Sequence, residues 1–260
     1  MRLIYIYVDG KRLKESEHEK FLGVIIDSML NWAQHIKNLA TKVSRNAGVL
    51  YKLKGLVPDN TLKLIYNSFI QSHLYYCATV WSTRSVNSIS RVFSAQKKGI
   101  RAADNKYHAY KYNKETNSTP SHTKDIFNKL GLLALPNLIA KSCLSLMHKV
   151  YLKVAPVNIR NIFNVVDTAP PRREPQIFTV SYNRLHNTDK SIGYVGPRLY
   201  NRIALAINNN KPRDAKSVQN NFLNTYKSAV NKYLLEVQAL EPDIKSWKDA
   251  NFALHYPSTS

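Results

Sequence analysis

Beyond Asp27, the apolar residues of this chain recur at every third or fourth position, and that spacing determines the fold class. Residues with this spacing share one face of an α-helix, so the pattern predicts a protein built mainly of amphipathic helices. Glycine and proline residues at the ends of the apolar runs indicate where several helices begin and end. The predicted helices cover residues 32–54, 58–81, 86–103, 123–130, 136–153, 197–208 and 217–238.

The first 30 residues follow a different pattern. Residues 3–8 are rich in β-branched and aromatic side chains, Asp9-Gly10 is a dipeptide typical of hairpin turns, and residues 21–26 form a second apolar run. These signals predict paired antiparallel strands. Two or three strands cannot bury one face of a sheet by themselves, so we expect them to be the end of a larger sheet. The predicted fold is therefore mainly α, with a short N-terminal antiparallel β patch.

The connections between the apolar runs divide the chain into regions. The helices predicted within residues 31–104 are joined by short connections, which favours antiparallel neighbours in a small bundle. Residues 105–122 are polar and basic, and we expect an exposed linker there. Residues 123–240 form a second helical region, in which the alternating segment 177–180 predicts a short strand. No element is predicted in the tail, residues 241–260.

The charge of the chain points to a partner. There are 38 Lys and Arg against 17 Asp and Glu, which gives a formal net charge of +21. A compact domain with this surplus repels itself, so the phosphate backbone of a nucleic acid is the counter-charge that the composition favours. An anionic membrane surface and an ordinary basic surface are the alternatives. Hydrophobic residues make up 44% of the chain, which is enough for a packed core and disfavours disorder.

The cysteines and the N-terminus bear on the compartment. Cys77 and Cys143 each lie in an apolar run, which predicts two buried free thiols in a reducing compartment and rules out a multi-cysteine zinc site. The apolar start is too short for a signal sequence, and no later run has the length of a membrane span. We therefore expect a soluble protein of the nucleus or cytoplasm, not secreted and without a membrane partner.

A series of short strings occurs along the chain in an informative order. Residues 21–27 (FLGVIID), with 30–32 (LNW) and 35–36 (HI), resemble the primer-grip turn and thumb entry of non-LTR (LINE-type) retrotransposon reverse transcriptases. The strings that follow are 64–70 (LIYNSFI), 73–77 (HLYYC) with Trp81, 96–101 (QKKGIR), 130–133 (LGLL) and 194–201 (YVGPRLYN). The resemblance implies the last strands of a palm in residues 1–30, a helical thumb in 31–104 and a post-thumb helical region in 123–240.

Reverse transcriptases of this family are RNA-directed DNA polymerases whose palm carboxylates hold two Mg²⁺ ions. Their signature is Tyr-x-Asp-Asp, and residues 7–10 (YVDG) are the only near match, with Gly10 in place of the second aspartate. Asp9 is better explained as a hairpin-turn residue, and Asp27 as a turn or helix-cap residue. The sequence thus predicts no catalytic, cofactor or metal site, and no polymerase activity from this chain alone.

The remaining expectations concern binding. The resemblance implies that the backbone of Leu22, Gly23 and Val24 lies close to a primer strand, although Gly23 could equally relieve crowding inside a strand. Arg172 and Arg173, between prolines, suggest an exposed arm or a flexible linker. Basic residues also interleave with the apolar stripes of the first and third helices, as a phosphate-facing surface or an ordinary solvated one. They are Lys37, Lys42, Arg45, Lys52, Arg91, Lys97, Lys98 and Arg101.

Histidines are scattered, and those within helices, His35, His73 and His148, are expected to pack or face solvent rather than bind metal. Two functions remain open. The first is a truncated reverse-transcriptase fragment that binds primer–template RNA or DNA with little sequence specificity and is not catalytic alone. The second is a domesticated helical module whose exposed Tyr and Trp residues contact a protein partner. Docking on a separate palm is disfavoured, because the strand break would leave an exposed sheet edge.

Overall fold

The structure, a computed structural model, describes residues 6–82, 86–106, 123–166, 177–180, 191–207 and 219–240. The protein is mainly α with a short antiparallel β patch at its N-terminus, as the sequence predicts. β1 (Tyr7–Val8) pairs with β2 (Lys11–Arg12), and β3 (His18–Phe21) pairs with β4 (Val24–Asp27). The helices are α1 (Ala33–Leu53), α2 (Asp59–Tyr66), α3 (Ser72–Tyr75), α4 (Ala78–Trp81), α5 (Val86–Ala102), α6 (Thr123–Leu130), α7 (Leu135–Tyr151), α8 (Val157–Arg160), α9 (Ile192–Ile207) and α10 (Gln219–Leu240), and a π-helical turn (Asn67–Gln71) joins α2 to α3.

Both hairpins close through two residues in the left-handed conformation. Asp9 and Gly10 have φ of 48° and 73°, and Leu22 and Gly23 have φ of 46° and 84°. Two successive positive φ values belong to a type I′ turn, whose twist matches that of the strands it joins. Asp9 is confirmed as a hairpin-turn residue. The prediction of one strand over 21–26 is wrong, because Gly23 lies in the turn between β3 and β4 and not inside a strand.

One carboxylate organises the connection from β4 to α1. Asp27 accepts backbone N–H groups from Met29 (3.2 Å), Asn31 (2.9 Å) and Trp32 (2.7 Å). These bonds hold a segment in which Leu30 and Trp32 have φ of 50° and 57°, a conformation that is unfavourable for residues with a Cβ. The prediction that Asp27 is a turn residue is confirmed.

Three helical segments, α1, α2 with α3, and α5, form a bundle. Asn105, which follows α5, accepts the N–H of Gly55 (2.7 Å) and donates to the carbonyl of Val57 (2.9 Å), and both of these residues follow α1. The C-terminal ends of α1 and α5 therefore meet, so these two helices run in parallel and α2 runs against both. Gly99 permits the close approach of α5 to the π-helical turn, because a Cβ at this position would collide with the Ile70 side chain.

The second predicted helix, residues 58–81, is wrong in one respect, because it breaks at Tyr76 and Cys77. Tyr76 takes an extended ψ of 120° and Cys77 has a φ of 50°, after which α4 begins. The indole of Trp81 donates to the Tyr76 carbonyl (2.9 Å), which has no helical partner at the break. The break also brings Cys77 to partial exposure, so the prediction of a buried thiol is confirmed for Cys143 and wrong for Cys77.

The connection between α6 and α7 is buried, and two glutamines bind its peptide groups. Gln96 comes from α5 and Gln238 from α10, so the two helical regions meet at this connection. One hydrophobic core extends through both regions. The bonds join Gln96 to Leu133 O (3.1 Å) and Leu135 N (2.7 Å), and Gln238 to Leu132 O (3.1 Å) and Ala134 N (2.9 Å). Residues 107–122 lie outside the described part of the chain, and the linker over 105–122 stays a prediction.

The helices of the second region differ from prediction mainly at α9. Pro136 lies in the first turn of α7, as predicted. α9 begins at Ile192, so the prediction of a helix that starts at Pro197 is wrong. Proline prefers a first turn, but a tertiary contact outweighs that preference. Gly196 packs closely on α7, where an added Cβ would lie 2.8 Å from Met147 Sδ.

Candidate nucleic-acid interface

The basic residues predicted as site residues on α1 all lie on its solvent face. Lys37, Lys42, Arg45 and Lys52 are exposed, opposite the buried stripe of the helix. α1 contains no Asp or Glu. At 1.5 Å of rise per residue, the four cations cover about 22 Å of helix. A row of this length is long enough to contact several successive phosphates of a nucleic acid.

α5 carries a second row of cations. Arg91, Lys98 and Arg101 are exposed and, at spacings of seven and three residues, share one face of the helix. α5 also lacks acidic residues. Lys97 differs, because it is half-buried and its ammonium lies 4.5 Å from the centroid of the Phe93 ring, in a cation–π contact. Of the three basic residues at this end of α5, Lys98 and Arg101 are thus exposed, whereas Lys97 lies along the Phe93 ring.

The two rows lie on neighbouring helices. Ala47 of α1 lies against Gly99 of α5, where an added Cβ would be 3.8 Å from the Ala47 Cβ. Because the helices run in parallel, this contact puts Lys98 at about the level of Arg45 along the two axes. We call the two rows together the basic face, formed by Lys37, Lys42, Arg45, Lys52, Arg91, Lys98 and Arg101.

Acidic residues are almost absent around the basic face. Between residues 28 and 103 the chain has eleven Lys or Arg and one acidic residue, Asp59. Within the described part of the chain, no carboxylate forms a salt bridge with a member of the basic face. A salt bridge does occur beyond it, between Lys129 and Asp104 (2.8 Å). The basic face thus has the electrostatic character of a surface for a polyanion.

The β3–β4 turn is attached to the helical bundle. Tyr76 donates from its hydroxyl to the Leu22 carbonyl (2.5 Å), and its ring lies below Gly23, where an added Cβ would be 3.6 Å from Tyr76 Cε1. Leu22 is 75% exposed at the tip, whereas the Val24 side chain is buried in the core and cannot contact a ligand. His35 Nδ1 faces the N–H of Ile25 at 3.4 Å. Sequence reasoning missed the role of Tyr76, since its partner lies 54 residues away.

His35, His73, His148 and Cys143 lie in packed surroundings. Burial lowers the pKa of His35, and burial together with the nearby charge of Lys42 lowers the pKa of His73. Burial lowers the pKa of His148 to about 4 and raises that of the Cys143 thiol to about 12. These groups are therefore neutral near pH 7. Among the described residues, no three His, Cys, Asp or Glu side chains come together as a metal site.

The last string that resembles the reverse transcriptases, residues 194–201, contributes to packing. Its Asn201 donates to the Phe178 carbonyl (2.7 Å) and accepts the N–H groups of Phe178 (2.9 Å) and Ile177 (3.1 Å). The predicted strand at 177–180 is wrong in extent, because among the described residues its pairing consists of a single bridge from Phe178 to Val165. Both peptide groups of Phe178 bond to the Asn201 side chain and not to a further strand.

Some predicted features lie outside the described residues, namely Arg172, Arg173 and the tail over 241–260. None of the described helices alone is long and apolar enough to cross a membrane, and α6 with α7 reaches that length and composition only as a pair bent by 46°. No family model, no curated protein and no solved structure matches this chain. Fold and site together define a basic helical protein with two N-terminal hairpins.

Proposed function

We propose that this chain is the thumb-bearing, C-terminal part of a non-LTR retrotransposon reverse transcriptase, and that it binds primer–template nucleic acid through the basic face without catalysing synthesis alone. The observation that supports this proposal best is the basic face itself. Seven exposed cations lie on two parallel helices, without a carboxylate partner among the described residues. A duplex offers one phosphate charge per about 1.7 Å of its axis, which matches an extended row of cations.

The β3–β4 turn adds support. It is exposed at Leu22 and is joined to the end of α3 through Tyr76, so the tip has a defined position relative to the bundle. Gly23 has no side chain, which lets the Tyr76 ring pack against the turn and fix its position. In the family that the sequence resembles, such a turn contacts the primer strand.

The test is a fluorescence-anisotropy titration with a short RNA–DNA hybrid at several salt concentrations. The first variant, K37Q/R45Q/K98Q, removes three charges from the basic face. The matched control, K149Q/K153Q/K232Q, also removes three exposed charges. Lys149 lies on α7, Lys153 lies just after α7, and Lys232 lies on α10. Each lost phosphate contact should lower the slope of log affinity against log salt by about 0.9. We therefore expect a clear loss of affinity and slope for the first variant, and wild-type behaviour for the control.

Equal losses in both variants would show that net charge alone attracts the hybrid and would contradict a specific face. Absence of salt-dependent binding by the wild type would contradict the proposal altogether. A polymerase assay completes the test, because template-dependent incorporation of nucleotides by the purified chain would overturn the claim that it is inactive alone.

A second candidate, a module that binds a protein partner, is supported by apolar side chains near the hairpin. Phe21, Leu22, Met29 and Leu30 are 63%, 75%, 72% and 56% exposed. Exposed apolar groups that lie close together in the chain are typical of interaction sites. This function predicts no salt-dependent affinity for the hybrid, so the same titration separates the two candidates.

A further inference from the structure

The contact between α1 and the π-helical turn adjoins the basic face. The Asn46 side chain donates to the Phe69 carbonyl (2.5 Å) and joins the two elements. Single π-helical turns interrupt the regular hydrogen bonding of a helix and often occur at functional sites. The Phe69 side chain is 52% exposed although its neighbours along the chain, Tyr66 and Ile70, are fully buried. An aromatic ring is thus available to solvent at this contact.

Lys42 lies on the side of α1 that contacts the π-helical turn, and Arg45 lies next to it. Lys42 and Val49 lie four residues before and three residues after Asn46, so they share its side of α1, and Arg45 lies one turn before Val49. Lys42 also lies close enough to His73, one turn beyond Phe69, for its charge to lower the pKa of that histidine. This surface therefore combines an exposed aromatic ring with two exposed cations. We call it the α1–π surface, formed by Lys42, Arg45, Asn46, Val49, Phe69 and His73.

This combination matches one ligand chemistry. A nucleic-acid base offers a flat face for an aromatic ring, and its phosphates offer charge to lysine and arginine. A duplex cannot use such a ring, because its bases already stack on one another and only unpaired bases have free faces. The cations alone would serve any anion, but the exposed ring on the adjoining turn favours an unpaired nucleotide.

We propose that the α1–π surface binds an unpaired nucleotide, with the base stacked on Phe69 and the adjacent phosphates at Lys42 and Arg45. The ligand is the single-stranded part of a primer–template, next to the duplex on the basic face. This inference rests on the proposed function and adds the substrate class that this end of the surface recognises.

The experiment compares two fluorescent probes on the full chain by anisotropy. One is a blunt RNA–DNA hybrid, and the other is the same hybrid with a single-stranded extension of six nucleotides on the template. The variants are Phe69→Ala and Phe69→Leu, and the second keeps apolar volume while removing the flat ring. Leu64→Ala is the control, since Leu64 is 65% exposed on α2 without flanking cations of this kind. Circular dichroism and thermal melting establish that each variant is folded.

We expect both Phe69 variants to bind the extended probe about tenfold more weakly, within the range for loss of one stacked base. Their affinity for the blunt probe should stay within twofold of wild type, as should Leu64→Ala on both probes. Wild-type affinity of Phe69→Leu for the extended probe would overturn the inference while leaving the proposed function intact. Failure of the wild type to bind either probe in a salt-dependent way would instead remove the proposed function, and this inference with it.

Discussion

Replacing Gln96 by Met removes an amide from the interior while keeping the length of the side chain. Gln96 is fully buried, and its amide bonds to Tyr66 Oη (3.0 Å), the Leu133 carbonyl (3.1 Å) and the Leu135 N–H (2.7 Å). The variant leaves these three groups without that partner in a site from which water is excluded. Each such group costs about 1–3 kcal/mol, and the thioether regains part of this by apolar burial.

We expect Gln96→Met to lower the free energy of unfolding by about 3 kcal/mol, with a fall in melting temperature of roughly 6–12 °C for a chain of this size. Gln238→Met should have a similar effect, since it removes the partners of the Leu132 carbonyl and the Ala134 N–H. The two glutamines bind alternate peptide groups of one buried segment. Once either glutamine is lost, the segment can move, so the double variant should lower the free energy of unfolding by less than the sum of the two single effects. We expect the difference to exceed about 0.5 kcal/mol.

The assay is equilibrium unfolding in urea, followed by tryptophan fluorescence. Trp32 and Trp81 are buried in the core and report on its loss. Gln34→Met makes the same chemical change at a half-exposed position on α1 and should leave the stability within about 0.5 kcal/mol of wild type. A Gln96→Met protein as stable as this control would refute the reasoning. Additive effects in the double variant would show that the two amides act independently.

Two further predictions concern single groups. His148 is fully buried and stacks on the Tyr226 ring at 3.6 Å between centroids. Its folded-state pKa of about 4 lies below the unfolded value of about 6.5, so the contribution of His148 to stability is present above pH 6.5 and is lost as the pH falls. Urea melts should show that the free energy of unfolding falls by about 2 kcal/mol from pH 7 to 5. This fall should be largely absent in His148→Asn. Asp27→Ala removes the acceptor of three N–H groups and should cost about 2 kcal/mol in the same melts, whereas Glu19→Ala on the exposed strand β3 should cost almost nothing. Equal losses for these two variants would contradict the role assigned to Asp27.

The helices could be predicted because the signals that define them are local. Apolar spacing identified each long helix, and Asp9-Gly10 identified the first hairpin turn from its residue types alone. Residue types alone did not identify the second turn, which only the resemblance to a primer-grip turn implied, since leucine rarely adopts a positive φ and Leu22-Gly23 does not have the residue types of a type I′ turn. The start of α9 was missed for a similar reason, because Pro197 has a strong local preference that the packing of Gly196 outweighs.

The contacts between distant residues could not be predicted. Gln96 and Gln238 reach partners 37 and 106 positions away, and nothing in the spacing of an amphipathic helix distinguishes a glutamine that clamps a peptide segment from one that faces solvent. The exposure of the cations on α1 could be predicted, because they lie opposite an apolar stripe. The parallel packing of α1 on α5 through Ala47 and Gly99 is revealed only by the three-dimensional arrangement.

Repulsion between the cations of the basic face destabilises α1 and α5, and the fold does not require these cations. Lys42 with Arg45, and Lys98 with Arg101, are like charges three residues apart on a helix, and each pair destabilises its helix by about 0.2–0.5 kcal/mol. The chain does not lack carboxylates, since five of its 17 acidic residues lie within the first 27 positions and only one lies between 28 and 103. Any polar residue would serve the solvent faces of α1 and α5 equally well in folding.

Stability and binding should therefore respond in opposite directions to the same change. Neutralising the basic face with K37Q/R45Q/K98Q relieves repulsion, so this variant should be at least as stable as wild type in urea while losing affinity for the hybrid. If the cations were instead structural, through contacts of their side chains with the core, the variant would lose stability as well. A melt and a titration on one preparation thus decide whether this surface serves the fold or a ligand.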